Sequence, residues 1–161
     1  METIFAPDRI GYIKKEKPQG CIFCSDSIRD DRLVVHEGRF CFVIMNKYPY
    51  ASGHVMVVPR RHVGEISDMS AKETQELMEL TGLAVEVLKE ACTPEGFNVG
   101  MNLGKAGGAG VDAHLHMHVV PRWYGDTNFM STLGDTRVIP EDLDSTSRRL
   151  RTLFTDKGDK Q

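Results

Sequence analysis

Three histidines at alternate positions, His114, His116 and His118, constrain this chain more than any other feature of its sequence. Successive side chains of a β-strand point to opposite faces, so in a strand the three imidazoles would share one face. The residues between them are apolar and would anchor the opposite face in a core. Imidazole is the side chain best suited to acid, base, nucleophilic or metal chemistry near neutral pH. The spacing therefore predicts a functional site on an exposed row of histidines.

The composition predicts one ordinary globular domain. The chain has 161 residues, of which 40% are hydrophobic and 27% charged, which is enough for a substantial core. Its formal net charge of -3 gives no general attraction to nucleic acid or to anionic membranes. No apolar run reaches the length of a membrane span, and the N-terminus lacks a signal-peptide layout. We therefore predict a cytoplasmic protein without a nucleic-acid or membrane partner.

Periodicity and turn signals predict a single α+β domain over residues 1–161. A capping box at Ser70–Glu73 opens a helix that ends before Pro94. Strands are predicted over residues 33–35, 40–45, 54–59, 97–103 and 113–120. Residues 1–20 form an N-terminal extension, and residues 140–155 form a C-terminal helix that Pro140 opens. The short turns between early strands favour an antiparallel sheet of about five strands with helices on one face.

The surroundings of the histidine row favour phosphoryl or nucleotidyl transfer. The row alone would also suit a zinc centre with three histidine ligands, or nucleophilic attack by one imidazole. The preceding loop, Gly104-Lys-Ala-Gly-Gly-Ala-Gly110, has four glycines in seven residues, and such loops let backbone amides surround phosphate oxygens. Nearby cations would add charge toward a phosphate, although each alone is typical of a solvated surface: Lys105, Arg122, Arg60 and Arg61.

These segments resemble the histidine triad family. The run His114-Leu-His-Met-His-Val-Val120 fits the family signature at every position, and Asn46-Lys-Tyr-Pro-Tyr-Ala-Ser-Gly-His54 resembles the nucleoside-binding strand–loop–strand. The run His118-Val-Val-Pro-Arg-Trp-Tyr-Gly-Asp-Thr-Asn-Phe-Met130 resembles the branch of diadenosine polyphosphate hydrolases and bacterial diadenosine tetraphosphate phosphorylases. The resemblance covers roughly residues 20–155. It implies the fold of that family, a homodimer, and a dinucleoside polyphosphate as substrate, with diadenosine tetraphosphate favoured.

The resemblance also implies a mechanism. His116 would attack the α-phosphate and form a covalent nucleotidyl-histidine, which water or inorganic phosphate would resolve. His118 would hydrogen-bond phosphate oxygens or orient His116, while His114 would fix the His116 tautomer or take a metal. Backbone amides of the glycine-rich loop would steady the developing charge, which assigns substrate contacts to Gly107, Gly108 and Gly110.

Three further residues are candidates for substrate contacts. Asn46 matches the family position that contacts the ribose, although it would equally suit the turn before Pro49. His54 matches the early-strand histidine beside the active site, and Asn102 would bond a phosphate or the ribose. Many hydrolases of the family carry glutamine four residues before the first triad histidine, where this chain has Gly110. That departure leaves room for phosphorolysis.

A second group of residues predicts a structural zinc site. Cys21 and Cys24 are two residues apart, so both thiolates can reach one tetrahedral ion, although a redox pair would look the same. By resemblance to bacterial relatives and to hexose-phosphate uridylyltransferases, His62 and His114 would complete the ligand set. The ion would pin the N-terminal segment to the catalytic strand. The other two cysteines, Cys41 and Cys92, are expected to be inert core residues.

Three other functions stay open at the level of sequence. The first is a nucleoside phosphoramidate hydrolase, which would use the same nucleophile. The second is a nucleotide-binding regulatory protein with little turnover, and the third is the three-histidine zinc hydrolase. Trp123, the only tryptophan, is expected in the core or a dimer contact, with the second-nucleoside site as the alternative.

Overall fold

A five-stranded antiparallel sheet forms the body of the protein, with the strands in the order β1-β2-β3-β5-β4. The computed structural model describes residues 20–24, 28, 32–111, 113–126 and 141–158. Two helices accompany the sheet, α1 at Ala71–Cys92 and α2 at Leu143–Gly158. The prediction of an α+β fold with about five antiparallel strands is confirmed. The strands are β1 Val34–Glu37, β2 Cys41–Met45, β3 Val55–Pro59, β4 Gly96–Gly100 and β5 Met117–Arg122.

The two faces of the sheet have different partners. Residues that are paired across neighbouring strands point to the same face of the sheet. Met56 of β3 is paired with His118 of β5, so these two side chains share a face. The other face carries Cys41, whose thiol lies 3.7 Å from the backbone carbonyl of Glu73 in α1. Helix α1 therefore covers the face opposite His118. The side chains that it covers are fully buried, as expected for the centre of the core: Val43, Val55, Val57 and Val119.

The ladder between β3 and β5 stops before Pro59, and this changes the environment of the histidines. Proline has no amide hydrogen to donate, and the last paired residues are Val57 and Met117. The predicted strand over residues 113–120 was therefore wrong at its first part, because His114 and His116 precede β5. The predicted exposed row was wrong as well, because all three imidazoles are buried.

Helix α1 begins with the capping box that the sequence predicts. The Ser70 hydroxyl accepts from the backbone amide of Glu73, and the Glu73 carboxylate accepts from the amide of Ser70. Glu76, one turn further, accepts from the amides of Arg39 and Phe40 in the loop between β1 and β2, and from that of Cys41 at the start of β2 at 2.6 Å. The helix ends at Cys92, where Thr93 adopts a left-handed conformation. One face of α1 therefore anchors both its own start and the first hairpin.

Helix α2 packs along the β1 edge of the sheet. The Ser147 hydroxyl donates to the backbone carbonyl of Arg32, and Arg151 Nε donates to that of Val34 at 2.7 Å. Such contacts protect an edge strand from pairing with another chain. The helix is described from Leu143 onward, and Pro140, where we expected it to open, lies outside the described residues, as do residues 1–19 of the predicted extension. Neither α1 nor α2 combines the length and the apolar character that crossing a bilayer requires.

Glu73 generates a prediction about stability and pH. Its carboxylate receives two hydrogen bonds from Arg61 at 2.8 Å and one from the Ser70 amide, and these hold its pKa at about 2. A carboxyl whose pKa is lowered by folding stabilises the fold above its ordinary pKa, and that contribution is lost as the pH falls toward 2. We expect Glu73→Gln to lower the free energy of unfolding by about 1–3 kcal/mol at neutral pH.

Urea denaturation of wild type and Glu73→Gln at neutral pH and near pH 3 measures this contribution. The difference between the two proteins should shrink at the lower pH. Glu79→Gln is the matched control, because Glu79 is exposed on the same helix and accepts only from the Gln75 side chain among the described residues. An equal loss of stability at both pH values would contradict the assignment.

Candidate active site and metal group

His116 is held in one tautomer by the backbone beside it. Its Nδ1 lies 2.9 Å from the carbonyl oxygen of His114, which can only accept a hydrogen bond. Nδ1 therefore carries the proton, and the lone pair lies on Nε2. No described residue hydrogen-bonds that Nε2. The arrangement leaves an unprotonated nitrogen available as a nucleophile, which is the role that the sequence assigns to His116.

His118 belongs to a directed chain of hydrogen bonds. The backbone amide of Tyr50 donates to His54 Nδ1 at 3.0 Å, so the proton of His54 is on Nε2. His54 Nε2 lies 2.9 Å from His118 Nδ1 and donates to it. His118 must then carry its own proton on Nε2, which is buried and has no partner among the described residues. His118 thus offers one N–H donor beside His116, whose ring centroid is 4.9 Å away.

Burial keeps His118 in its neutral form. Burial first, and then the charge that His116 would carry, lower the pKa of His118 from 6.5 to about 4. A neutral imidazole with its proton on Nε2 donates one hydrogen bond and carries no charge. His118 is therefore suited to hydrogen-bond an oxygen atom rather than to form an ion pair with it.

The loop before β3 supports this chain from outside. The ring of Tyr50 lies over both imidazoles, with centroids 4.7 Å from His54 and 5.8 Å from His118. The Asn46 side chain accepts from the amide of Tyr48 at 2.9 Å, and its Nδ2 lies 3.4 Å from His54 Nδ1. Of the two roles that the sequence allows for Asn46, a turn or a ribose contact, the hydrogen bond from Tyr48 forms the turn. Its amide braces the loop that positions His54.

Cys21, Cys24, His62 and His114 converge on one point. Their ligand atoms all lie within 4.8 Å of one another. Cys21 Sγ is 3.2 Å from His114 Nδ1, and Cys24 Sγ is 3.3 Å from His62 Nδ1. A tetrahedral zinc with bonds of about 2.0–2.3 Å separates sulfur and nitrogen ligands by about 3.5 Å. The geometry of the four side chains therefore fits a tetrahedral metal ion.

The protonation states of this group also suit a metal. His114 Nε2 donates to the Pro59 carbonyl at 2.8 Å, so its Nδ1 presents a lone pair to the two sulfurs. Burial lowers the pKa of His114, which keeps its imidazole neutral as a ligand must be. Burial, a hydrogen bond that the Cys24 thiol donates to Cys21, and the charge of Cys21 raise the pKa of Cys24 to about 11. A bound cation would supply the charge that turns these thiols into thiolates.

The structure divides the three predicted catalytic histidines between two neighbouring clusters. His116 and His118 lie together with His54, whereas the His114 side chain belongs with the two cysteines. His114 still determines the tautomer of His116, but through its backbone carbonyl rather than its ring. His114 therefore belongs to both clusters: its ring lies with the cysteines, and its backbone carbonyl binds His116.

The glycine-rich loop folds partly on itself. The amide of Gly108 donates to the Lys105 carbonyl at 3.0 Å, so it is not directed at a ligand. Gly107 and Gly110 are exposed, and Asn102 is half-buried just before the loop. Gly104 and Gly108 have φ angles of 68° and 86°, a region that favours glycine. Gly104 and Gly108 are thus explained by the conformation of this loop rather than by ligand binding.

The arginines near the predicted site form ion pairs with carboxylates. Arg122 holds Asp126 through Nε at 2.5 Å and Nη2 at 2.9 Å, at the end of β5. Arg60 pairs with Glu37, and Arg61 pairs with Glu73. Their charge is therefore neutralised locally, and the surface alternative that the sequence left open describes these arginines better than phosphate binding.

The remaining residues singled out in the sequence lie apart from the two clusters. Burial raises the pKa of Cys41 to about 12 and also raises that of Cys92, so both stay thiols. All four cysteines are free. Trp123 is half-buried in the turn after β5, where its amide donates to Asp126.

Two residues of the site were missed in the sequence. Tyr50 covers the imidazoles of His54 and His118, and Phe23 packs against His114 and His116. The position of Phe23 between two cysteines was the available signal, since a tight turn there carries it with the thiols. Nothing in the sequence indicated that Tyr50 would donate its amide to a histidine.

The chain belongs to the HIT domain family, whose model matches residues 29–124. It is 47% identical over 123 residues to a protein of Mycobacterium tuberculosis named AP-4-A phosphorylase. That alignment covers 76% of this chain and 63% of the relative, so this chain spans less than two thirds of the relative's length.

Solved structures agree with this assignment. A Zn-bound histidine triad family protein from Mycobacterium smegmatis superposes with a TM-score of 0.71 at 26% identity, covering 88% of this chain and 97% of that protein. A hypothetical histidine triad nucleotide-binding protein from Sulfolobus tokodaii gives a TM-score of 0.69 at 27% identity, covering 84% and 93%. The resemblance inferred from the histidine motif is therefore confirmed.

The hydrogen-bond chain predicts how His118 titrates. Because burial lowers its pKa to about 4, His118 should stay neutral through the range in which free histidine becomes charged. A ¹⁵N NMR titration of the imidazoles should find a midpoint near 4, with the urea-unfolded protein as the reference. A midpoint close to 6.5 in the folded protein would contradict the buried, neutral donor.

Proposed function

We propose that this protein cleaves dinucleoside polyphosphates, with diadenosine tetraphosphate as its favoured substrate, through a covalent nucleotidyl-His116. The observation that carries the proposal is the hydrogen bond from His116 Nδ1 to the His114 carbonyl, which leaves a lone pair on Nε2. The name of the 47% identical relative supports the substrate class. His114 and His118 complete the catalytic group as positioning residue and donor.

In the first half-reaction, Nε2 of His116 attacks the α-phosphorus of the substrate. The N–P bond forms as the bond from phosphorus to the bridging oxygen breaks, and ATP leaves from diadenosine tetraphosphate. The Nε2–H of His118 donates to an oxygen of the reacting phosphate or of the leaving group, where negative charge grows. The His114 carbonyl stabilises the imidazole as it becomes positively charged, because it retains the proton on Nδ1.

In the second half-reaction, an acceptor attacks the nucleotidyl-His116 and the N–P bond breaks. Inorganic phosphate would give ADP, whereas water would give AMP. The covalent intermediate divides one difficult displacement into two easier ones. The proposed substrate contacts are Asn46, His54, Asn102, Gly107 and Gly110. Gly108, the sixth residue predicted to contact substrate, would instead shape the loop, because its amide donates to the Lys105 carbonyl.

We favour phosphate over water as the acceptor. Gly110 stands where many family hydrolases have glutamine, so no side chain at that position contacts the substrate phosphates. The relative named a phosphorylase supports the same choice. A small residue also leaves space beside the reacting phosphorus for a second anion.

Two alternatives use the same residues and are separable by experiment. A nucleoside phosphoramidate hydrolase would cleave an adenosine phosphoramidate faster than diadenosine tetraphosphate. A regulatory protein would bind mononucleotide and turn over almost nothing. The three-histidine zinc hydrolase is disfavoured, because His114 Nδ1 faces the cysteines while Nδ1 of His116 and of His118 are already hydrogen-bonded.

The first test measures products and the nucleophile together. Wild-type protein and diadenosine tetraphosphate should yield ADP and ATP when phosphate is present, as resolved by ion exchange. His116→Ala should reduce the rate by at least about a thousandfold, because the variant lacks the nitrogen that would carry the nucleotidyl intermediate. His36→Ala is the control, since His36 stacks on Phe154 away from the site. His116→Ala cleaving at the wild-type rate would refute the mechanism.

We further propose that Cys21, Cys24, His62 and His114 bind a structural zinc ion. Their distances and the tautomer of His114 support this assignment, and a histidine triad relative is described as Zn-bound. The ion would cross-link the Cys21–Cys24 segment to the residues that precede β5. The role of the ion would therefore be structural.

Metal analysis tests the zinc proposal. The purified protein should contain about one zinc ion per chain, and a chelator should lower the midpoint of thermal unfolding by about 5 °C or more. Cys24→Ser should lose both the metal and that stability, whereas Cys92→Ser should keep both because Cys92 lies outside the group. Full zinc content in Cys24→Ser would contradict the ligand set.

We also propose a cytoplasmic homodimer. The family resemblance supports the dimer, and β4 is the edge strand beyond β5, with Val99 and Leu103 exposed near its end. Among the described residues, β4 pairs only with β5, so its outer edge could accept a second copy. Four free thiols support a reducing compartment. The single domain over residues 1–161 stays a prediction.

A further inference from the structure

Phe23 connects the cysteine turn to the nucleophile. The amide of Cys24 donates to the Cys21 carbonyl at 3.1 Å, and this tight turn carries Phe23 between the two thiols. The Phe23 ring is 7% exposed. Its centroid lies 5.5 Å from that of His114, edge-on, and 5.2 Å from that of His116, tilted by 45°. One aromatic side chain therefore touches a member of each cluster.

The hydrogen bond to His114 does not by itself fix the ring of His116. Rotation of an imidazole about χ2 is broad, and a single acceptor restricts the direction of Nδ1 more than the tilt of the ring. His116 has two aromatic neighbours, Phe23 with its centroid at 5.2 Å and His118 at 4.9 Å. The His118 ring is itself held by His54. The contact with Phe23 therefore restricts rotation of the His116 ring.

We propose that Phe23 is a positioning residue for His116: held in place by the Cys21–Cys24 turn, its ring keeps the His116 imidazole at the rotation where Nδ1 donates to the His114 carbonyl and Nε2 is available to a phosphorus atom. This inference rests on the proposed nucleophilic role of His116. It gives the cysteine turn a second task besides joining two segments. The cysteines set where the ring lies, and the ring sets where the nucleophile points.

Phe23→Leu tests the proposal, because leucine keeps an apolar side chain in the core but removes the aromatic ring that contacts His116. We expect kcat for diadenosine tetraphosphate to fall by about tenfold to a hundredfold with little change in KM, since misorientation of a reacting group affects the transition state. Long-range ¹H–¹⁵N spectra of the imidazoles should show His116 changing from one tautomer to a mixture. Metal content should be unchanged, because Phe23 supplies no ligand atom.

The matched control is Phe154→Leu. Phe154 is fully buried and also stacks on a histidine, His36, at 5.2 Å. It should lose at least as much stability as Phe23→Leu while the His116 spectrum and kcat stay as in wild type. If Phe23→Leu does not fold, Phe23→Met replaces it, because methionine fills irregular core space.

Two outcomes would overturn the proposal. One is an unaltered tautomer and kcat in the folded Phe23 variant. The other is a loss of kcat in Phe23→Leu that is proportional to its loss of zinc or of thermal stability. The spectra decide the question even when the substrate is wrong: a wild-type protein that cleaves nothing would refute the proposed function, while the His116 tautomer would still report on Phe23.

Discussion

The hydrogen bond from His114 Nε2 to the carbonyl of Pro59 is the interaction on which the rest of the site depends. Pro59 has no amide hydrogen, so the ladder with β5 stops there and the chain around His114 leaves the sheet. The Pro59 carbonyl then accepts the hydrogen bond from His114 Nε2, which turns Nδ1 of His114 toward the two cysteines. The backbone carbonyl of His114 remains available and accepts the hydrogen bond from His116 Nδ1. One proline thus separates the proposed metal ligand His114 from the proposed nucleophile His116, two residues away.

The directions of the hydrogen bonds follow from fixed backbone groups at both ends. An amide at Tyr50 can only donate and a carbonyl at His114 can only accept, so each determines the proton on the imidazole beside it. The consequence is a pair of complementary nitrogens: a lone pair on His116 Nε2 and a proton on His118 Nε2. Burial adds to this at His118, because it disfavours the charged form of that imidazole and lowers its pKa to about 4. The asymmetry needs no carboxylate at either histidine.

Sequence periodicity predicts most of the secondary structure of this chain, because side chains in strands and helices recur at regular intervals. The capping box at Ser70, the buried face of α1 and the early antiparallel strands were all evident in the sequence. Alternation failed at His114, since a pleat exists only while a neighbouring strand donates hydrogen bonds, and the missing donor is on Pro59, 55 residues earlier. The contacts of Phe23 and Tyr50 were inaccessible for a similar reason. They join segments far apart in the chain or depend on a backbone amide.

The charges around the site bear on the kind of catalysis it can perform. The proposed substrate, a dinucleoside polyphosphate, would bring several negative charges, yet Arg60, Arg61 and Arg122 are already paired with carboxylates. Direct attack by water on such an anion benefits from cations that neutralise the equatorial oxygens. A neutral imidazole meets the anion without a charge of its own and becomes positive only as the N–P bond forms. The growing attraction then belongs to the transition state, where it lowers the barrier. The paired arginines and the neutral histidines therefore favour the same covalent route.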